Sequence, residues 1–508
     1  MSRTKRFIGG LSLGYINMAL VTLTGLWLTR FLLKRLGQHD YGLWLVGTQM
    51  LNYLMLMDFG VVALLPRETA YALGRAGDVH KATNLPELIG QTIRLVIWQI
   101  PLVATAALMM WYAMPVGWEA LRKPLALVLV AFVLVFPLRI FQAVLEGLQD
   151  LSFLGVTQMF SWLLSTALTV AFVFASFGLY SLAIGWVAGQ AISTVVWSYR
   201  SRHRFPSVFP SHLPRLAWGA AWGYLRRSVW VSVAQIAQAL LSATDLVIIA
   251  RVLGPAAVVP YACTGKLIFT LTNQPQMLMQ LASPGLSEMK TGESRERLFQ
   301  VCTSLTQAML MFSGAIALVV LLINRGFVGW WVGANQYGGF SLTVLLLASM
   351  LLRHWNTTAV YSIFCFGYER RISITTMLDG SATLLASVLL VGRLGPVGAP
   401  LGSLIGVCLV SLPANLRPLA RESGASIGRL VKPLRAWFWR FMLLFIAAAA
   451  MTRVWQPKSF VAVAVTGLAA ALLYVGVTLP AMLRTHLGAY LRPRLVLVWA
   501  RLSGAAYP

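Results

Sequence analysis

Apolar runs of about 20 residues, parted by short polar breaks, recur along the whole chain, and each is long enough to cross ~30 Å of hydrocarbon as an α-helix. In lipid, backbone N–H and C=O groups have no water to bond, so a run of this length satisfies them internally as a helix. The runs predict about fourteen spans. They begin near Phe7, Tyr41, Gln91, Leu125, Leu154, Gly178, Val229, Ala256, Thr303, Phe340, Arg371, Pro396, Trp437 and Ser459. The first run follows the basic Ser2-Arg3-Thr4-Lys5-Arg6, as a signal peptide would. It continues to about Leu33 without a small-x-small cleavage site, so it is expected to be a membrane helix.

Composition agrees with this pattern: 58% of residues are hydrophobic, 11% are charged and the mean hydropathy is +0.73. An ordinary soluble domain carries about 25% charged residues. The formal net charge of +26 would suggest nucleic acid in a soluble protein, but here most Lys and Arg lie in short loops between apolar runs. Positive-inside bias and anionic headgroups account for that placement. With the N-terminus cytoplasmic, the basic loops fall inside, and an even number of spans puts the C-terminus inside as well. The longer polar stretches, about Arg67 to Gly90, Arg200 to Arg227, Ser287 to Arg297 and Arg417 to Arg435, are then all cytoplasmic. Trp218 to Ser228 and Leu487 to Leu502 mix aromatic and basic residues, and suit either interfacial helices or charged flanks of spans. Cys263, Cys302, Cys365 and Cys408 fall on different spans without paired spacing and read as free thiols.

The chain also repeats itself. Arg35-Leu36-Gly37 and Tyr41 follow the first span, and Val252-Leu253-Gly254 and Tyr261 follow the seventh. Pro66 and Arg75-Ala76-Gly77-Asp78 follow the second span; Pro284 and Lys290-Thr291-Gly292-Glu293 follow the eighth. An offset of six spans is even, so both halves run in the same direction, related by an axis along the membrane normal.

The opening Arg30-Phe31-Leu32-Leu33-Lys34-Arg35-Leu36-Gly37, then Asp40-Tyr41-Gly42-Leu43-Trp44, Met57-Asp58-Phe59-Gly60 and Arg67-Glu68, resembles the polysaccharide and O-antigen flippases of the multidrug/oligosaccharidyl-lipid/polysaccharide exporter superfamily. Asp245, Leu253-Gly254, Tyr261-Ala262 and Lys266-Leu267 resemble the matching pattern of a second lobe. The resemblance implies an all-α polytopic membrane protein of about 14 transmembrane helices, arranged as two pseudo-symmetric six-helix lobes plus two C-terminal helices. The expected divisions are 1–205 for the N-lobe, 206–418 for the C-lobe, and 419–508 for the last two spans with a basic tail. The implied activity is translocation of an undecaprenyl-pyrophosphate-linked oligosaccharide across the inner membrane.

A charged side chain at mid-bilayer costs ~2.5 to 3.5 kcal/mol on insertion scales, so each must face water or another polar group. Helical spacing gathers such groups into stripes. The fourth span offers Arg139, Gln142 and Glu146; the seventh Gln235, Gln238, Ser242 and Asp245. The eighth offers Lys266, Thr270 and Asn273, the tenth Arg353, Asn356 and Thr357, and the eleventh Thr375, Asp379 and Thr383. A shared wet cavity explains five stripes, and a pyrophosphate head is anionic. Arg139, Lys266, Arg353, Gln142, Gln238, Asn273 and Asn356, with Arg30 nearer the outer end, are therefore the expected substrate-binding residues. The alternative for the cations is simple pairing with Asp58, Glu146, Asp245 or Asp379. The related lipid II flippases bind sodium through acidic residues of the corresponding seventh and eleventh helices. That resemblance makes Asp245, Asp379, Thr375 and Thr383 candidates for cation coupling.

No phosphate-binding Gly-x-x-x-x-Gly-Lys loop or His-Glu-x-x-His motif is present. No cofactor is expected; coupling to Na+ or H+ is one energy source the sequence allows. The leading reading is a lipid-linked oligosaccharide flippase working by alternating access in a bacterial inner membrane. Membrane lipids and other polysaccharide-assembly proteins are its candidate partners. A drug or cation antiporter of the same superfamily would need a predominantly acidic cavity. A membrane glycosyltransferase or polymerase would need a sizeable external loop bearing carboxylate pairs, and a non-transporting scaffold would not need the buried charges.

Overall fold

The computed structural model describes residues 3–76, 85–215, 218–242, 244–292 and 294–488. Helices α1 (Arg3–Met55), α2 (Val61–Ala76), α3 (Leu85–Tyr112), α4 (Glu119–Val135), α5 (Arg139–Gly147), α6 (Leu151–Phe174), α7 (Tyr180–Arg204), α8 (Trp218–Ser242) and α9 (Thr244–Leu253) come first. They are followed by α10 (Val258–Gly292), α11 (Arg295–Trp331), α12 (Phe340–Cys365), α13 (Glu369–Leu394), α14 (Gly398–Gly406), α15 (Leu412–Glu422), α16 (Ile427–Val431), α17 (Arg435–Val454) and α18 (Phe460–Met482). The described residues contain no strand.

The expected spans fall within these helices, the first two sharing α1 across a kink at Gly37. Among the described residues, eight helical segments are long and apolar enough to cross a membrane, or ten when each of two bent pairs counts as one span. The remainder fall short for a physical reason: α10 and α12 carry the polar stripes read from the sequence, and polar groups lower the hydropathy of a span. The protein is therefore an all-helical, polytopic membrane protein.

The chain divides into two compact units, Met1–Val258 and Val259–Pro508. This division places α8 and α9, the expected seventh span, with the first unit; the lobes at 1–205, 206–418 and 419–508 remain a proposal based on the repeat. In the first unit α6 packs on α7 and α1, α2 on α5, and α4 on α7. In the second, α11 packs on α12, α17 and α18, while α13 packs along α14. The core of the second unit runs through Met279, Phe299, Ile363, Val407 and Leu416, all buried. A smaller one, of Phe141, Leu145, Leu154 and Trp197, lies in the first.

The repeat has a backbone counterpart. Gly37 takes φ 83 and ψ 171, and Gly254 takes φ 92 and ψ 158. Side-chain-bearing residues avoid this region, so glycine at both positions lets one helix end and the next begin at the same angle. The pattern extends to two further turns with positive φ, Gln149 with Gly367 and Gly178 with Gly395. The partners stand 217 positions apart (37 to 254, 178 to 395) or 218 (149 to 367). Tyr41 and Tyr261, the aromatics after Gly37 and Gly254, are both buried. The Gly77-Asp78 and Glu293 parts of the second repeated motif lie outside the described residues.

Trp218 to Ser228 is not a separate interfacial helix. It forms the first turns of α8, continuous to Ser242, which fits the reading as the charged flank of a span. Leu487 to Leu502 lies almost entirely outside the described residues.

Candidate functional site

In the first unit the chain breaks at a 3-10 turn, Leu56–Asp58, and α2 leaves at 54° to the preceding helix. Phe59 and Gly60 both adopt positive φ, and the Asp58 carboxylate accepts a hydrogen bond from the Gly60 N–H at 2.9 Å. An aspartate two residues upstream holds such a turn by satisfying a backbone donor. That explains the Asp-Phe-Gly triplet. The other Asp58 oxygen lies 3.8 Å from Nη1 of Arg139, at the start of α5. Asp58 is 2% exposed while the Arg139 side chain keeps 25%. At 3.8 Å the pair attracts without hydrogen bonding, and Arg139 Nη1 has no protein acceptor. Within α5, Gln142 donates to Glu146 at 2.9 Å, so this amide–carboxylate pair is satisfied locally.

In the second unit Arg353 (α12) lies across α13 and α14. Its Nη1 donates to Asp379 Oδ2 at 3.1 Å and its Nη2 to Oδ1 at 3.4 Å, a bidentate fork. Nε donates to the Ser403 hydroxyl at 2.7 Å, and Nη2 also reaches the Ser403 carbonyl and the Thr383 hydroxyl. Asp379, 1% exposed, further accepts from Thr383 at 3.1 Å and Ser411 at 2.7 Å. Both carboxylate oxygens are thus engaged, while 23% of the Arg353 side chain stays exposed.

Two features of the chain make this approach possible. Gly398, Gly402 and Gly406 recur every fourth residue on the face of α14 that meets α13, the small-xxx-small spacing that lets helices pack closely. A Cβ on Gly406 would lie 2.4 Å from Asp379 Oδ1 and 2.2 Å from the Thr383 hydroxyl. Next, α14 passes into a π-helical turn, Val407–Ser411, which ends on the serine that bonds Asp379. A π-turn shifts the register of the following residues by inserting one extra position, a device frequent at functional sites.

The structure thus joins two groups for which the sequence offered separate roles or, as the alternative, simple pairing. Arg353, expected to bind substrate, and Asp379 with Thr383, expected to bind a cation, form one cluster. Thr375 is buried one turn before Asp379 on α13. Asn356 accepts from Asn415 of α15 at 2.9 Å. Lys266 is half-buried on α10 and has no carboxylate partner among the described residues. Asn273 on α10, Gln238 on α8 and Arg30 on α1 are exposed. Asp245 opens α9, beside Thr244, which accepts from the Tyr53 hydroxyl at 3.1 Å. The sequence reading missed Ser403 and Ser411; their signal is the recurrence of serines beside the glycine stripe of an otherwise apolar span. It also missed the bond between His354 Nδ1 and the Ser313 hydroxyl, 2.6 Å and buried. Beyond the spans, Tyr368 donates to Glu422, and this hydrogen bond raises its hydroxyl pKa above the ordinary value.

Known proteins share this architecture. A lipid II flippase, MurJ, in an inward closed conformation superimposes with a TM-score of 0.64 at 11% identity, covering 92% of this chain and 98% of that one. An inward-facing multidrug resistance MATE family transporter of the MOP superfamily gives 0.57 at 13% identity, covering 82% and 98%. At such identities the likeness concerns the fold. No curated protein matches the sequence. The sequence profile of the family described as polysaccharide biosynthesis protein matches residues 57–328, more than half of the chain. That stretch takes in the Asp58 turn, Arg139 and the Gly254 turn, and the chain belongs to this polysaccharide biosynthesis family.

Proposed function

We propose that this protein flips a lipid-linked oligosaccharide, carried on undecaprenyl pyrophosphate, across a bacterial inner membrane by alternating access. The observation that carries the reading is an intramembrane arginine, Arg139, opposed by a single carboxylate at 3.8 Å and still about a quarter exposed. A guanidinium in that condition stays charged and can present an N–H edge to a phosphate. The family assignment and a fold like that of a lipid II flippase support the same reading.

Within it, Arg139 and Lys266 are the anion-holding groups. Arg139 has an Nη1 without an acceptor, and Lys266 has no carboxylate partner among the described residues. Gln142, Gln238, Asn273, Asn356 and Arg30 provide diffuse polar contacts for sugars. Arg353 is chiefly the resident cation of Asp379. A coupling Na+ at Asp379, Thr375 and Thr383 would have to displace a guanidinium that makes five hydrogen bonds, so coupling there requires Arg353 to withdraw. Both termini are cytoplasmic in this reading, and other polysaccharide-assembly proteins are its partners.

The test is reconstitution in liposomes containing a fluorescent lipid-linked oligosaccharide, with a membrane-impermeant quencher added outside. Flippase activity makes nearly all the label quenchable, against about half in empty vesicles. Label that stays half protected, together with uptake of a cationic dye against an ion gradient, identifies a drug antiporter instead.

A further inference from the structure

Unit 1 carries a groove that neither charged cluster uses. It has a volume of about 410 Å³ and lies between the start of α5 and the last turns of α7, lined by Phe141, Val195, Ser198, Tyr199, Arg202 and His203 among others. The α7 residues recur at intervals of three and four and so share one helix face. Val195, 66% exposed, and the Phe141 ring form an apolar stretch. One to two turns on, Ser198, Tyr199, Arg202 and His203 form a polar one. The groove is therefore amphipathic along the helix axis, with its charged end where the apolar span Tyr180–Arg204 stops.

Charge separates this end from an ordinary basic flank. Arg200, on the neighbouring face, is neutralised by Asp150 at 3.0 Å. Arg202 has no carboxylate among the described residues. Its guanidinium instead lies 5.7 Å from the centroid of the Phe141 ring, which fixes its stem across the groove while leaving its N–H donors unspent. His203 is held beside Tyr199, their ring centroids 4.2 Å apart. The C-terminal carbonyls of α7 oppose an anion, but Arg202, His203 and Arg204 fill that last turn and outweigh them.

A ligand complementary to this groove has a phosphate at one end and a hydrocarbon chain at the other. We propose that the groove binds an anionic phospholipid, its phosphate held by Arg202 with Ser198, Tyr199 and His203 nearby, and its acyl chain lying along Val195 and Phe141. Neither Arg139 nor Asp58 lines the groove, and the proposal does not depend on what the protein transports.

Native mass spectrometry of the purified full-length protein tests this, with phosphatidylglycerol, phosphatidylcholine and undecaprenyl phosphate titrated separately. Wild type is expected to bind one phosphatidylglycerol about tenfold more tightly than phosphatidylcholine, which shares the phosphate but brings a choline cation that the unneutralised Arg202 repels. Arg202→Ala is expected to abolish that preference, Arg202→Lys to keep most of it, and Val195→Trp, which fills the apolar end, to weaken both phospholipids. A wild-type ratio in Arg202→Ala overturns the site, and so does a larger loss of undecaprenyl phosphate binding than of phosphatidylglycerol binding in that variant. Should Arg202→Ala not yield folded protein, Val195→Trp decides alone: unchanged phosphatidylglycerol binding overturns the proposal.

Discussion

Replacing Asp379 by Asn removes one charge and almost no volume, and so isolates the ion pair at the centre of the second unit. The carboxylate is 1% exposed and accepts from Arg353, Thr383 and Ser411. Its loss leaves the Arg353 guanidinium facing an amide whose own N–H groups repel the fork. Stranding one member of a buried pair costs about 3–5 kcal/mol. Because 23% of the Arg353 side chain reaches the surface, water offsets part of this and the lower end applies. One of the two hydroxyl donors also loses its acceptor, which adds about 1 kcal/mol. The total expected destabilisation is about 3–4 kcal/mol, read as a shift of the unfolding midpoint in a denaturing-detergent titration. The pair Arg353→Met with Asp379→Leu removes both charges and should recover most of that loss, since apolar replacement of a buried pair is often neutral. An Asp379→Asn midpoint within about 0.5 kcal/mol of wild type, or a double variant as unstable as the single, refutes the clamp.

Three further outcomes follow from the same geometry. Gly406→Ala places a methyl against Asp379 Oδ1 and Thr383 Oγ1 and should destabilise by about 1–3 kcal/mol, measured in the same titration. Gly37→Ala and Gly254→Ala meet no atom within 4 Å yet stand at φ 83 and 92 with extended ψ, so each should cost about 1–3 kcal/mol from backbone strain alone; equal costs at the two sites are expected if the repeat is structural. Tyr474→Phe strands the buried Trp437 N–H, which donates to the tyrosine oxygen at 2.7 Å, and should cost about 1–3 kcal/mol with a shift in tryptophan emission.

The spans were legible because lipid imposes one rule along the whole chain, and Leu-rich runs such as that of α4 satisfy it without help from tertiary structure. The repeat was legible at Leu36-Gly37 and Leu253-Gly254 because a backbone that needs positive φ recruits glycine wherever it recurs. Pairing was harder to read. Arg353, Asp379 and Ser411 lie on three different elements, and helical period places a side chain on a face without saying which neighbour that face meets. The π-turn at Val407–Ser411 defeats the period altogether, because it rotates Ser411 relative to an ideal helix. The same limit left the pairing of Arg353 with Asp379 as one alternative among several cations and carboxylates. Asp58 shows the converse case. Its Asp-Phe-Gly stood in the sequence only as part of the resemblance, and the structure shows it as a turn whose second carboxylate oxygen faces Arg139.

The most direct measurement is the flipping rate of Arg139→Ala and Arg139→Lys in liposomes carrying a fluorescent pyrophosphate-linked oligosaccharide, at matched amounts of folded protein. Losing a guanidinium contact to phosphate worth about 1.5–3 kcal/mol slows Arg139→Ala at least tenfold, with Arg139→Lys in between because it keeps the charge and loses the fork. Wild-type flipping by Arg139→Ala would contradict the claim that this intramembrane cation handles an anionic lipid head.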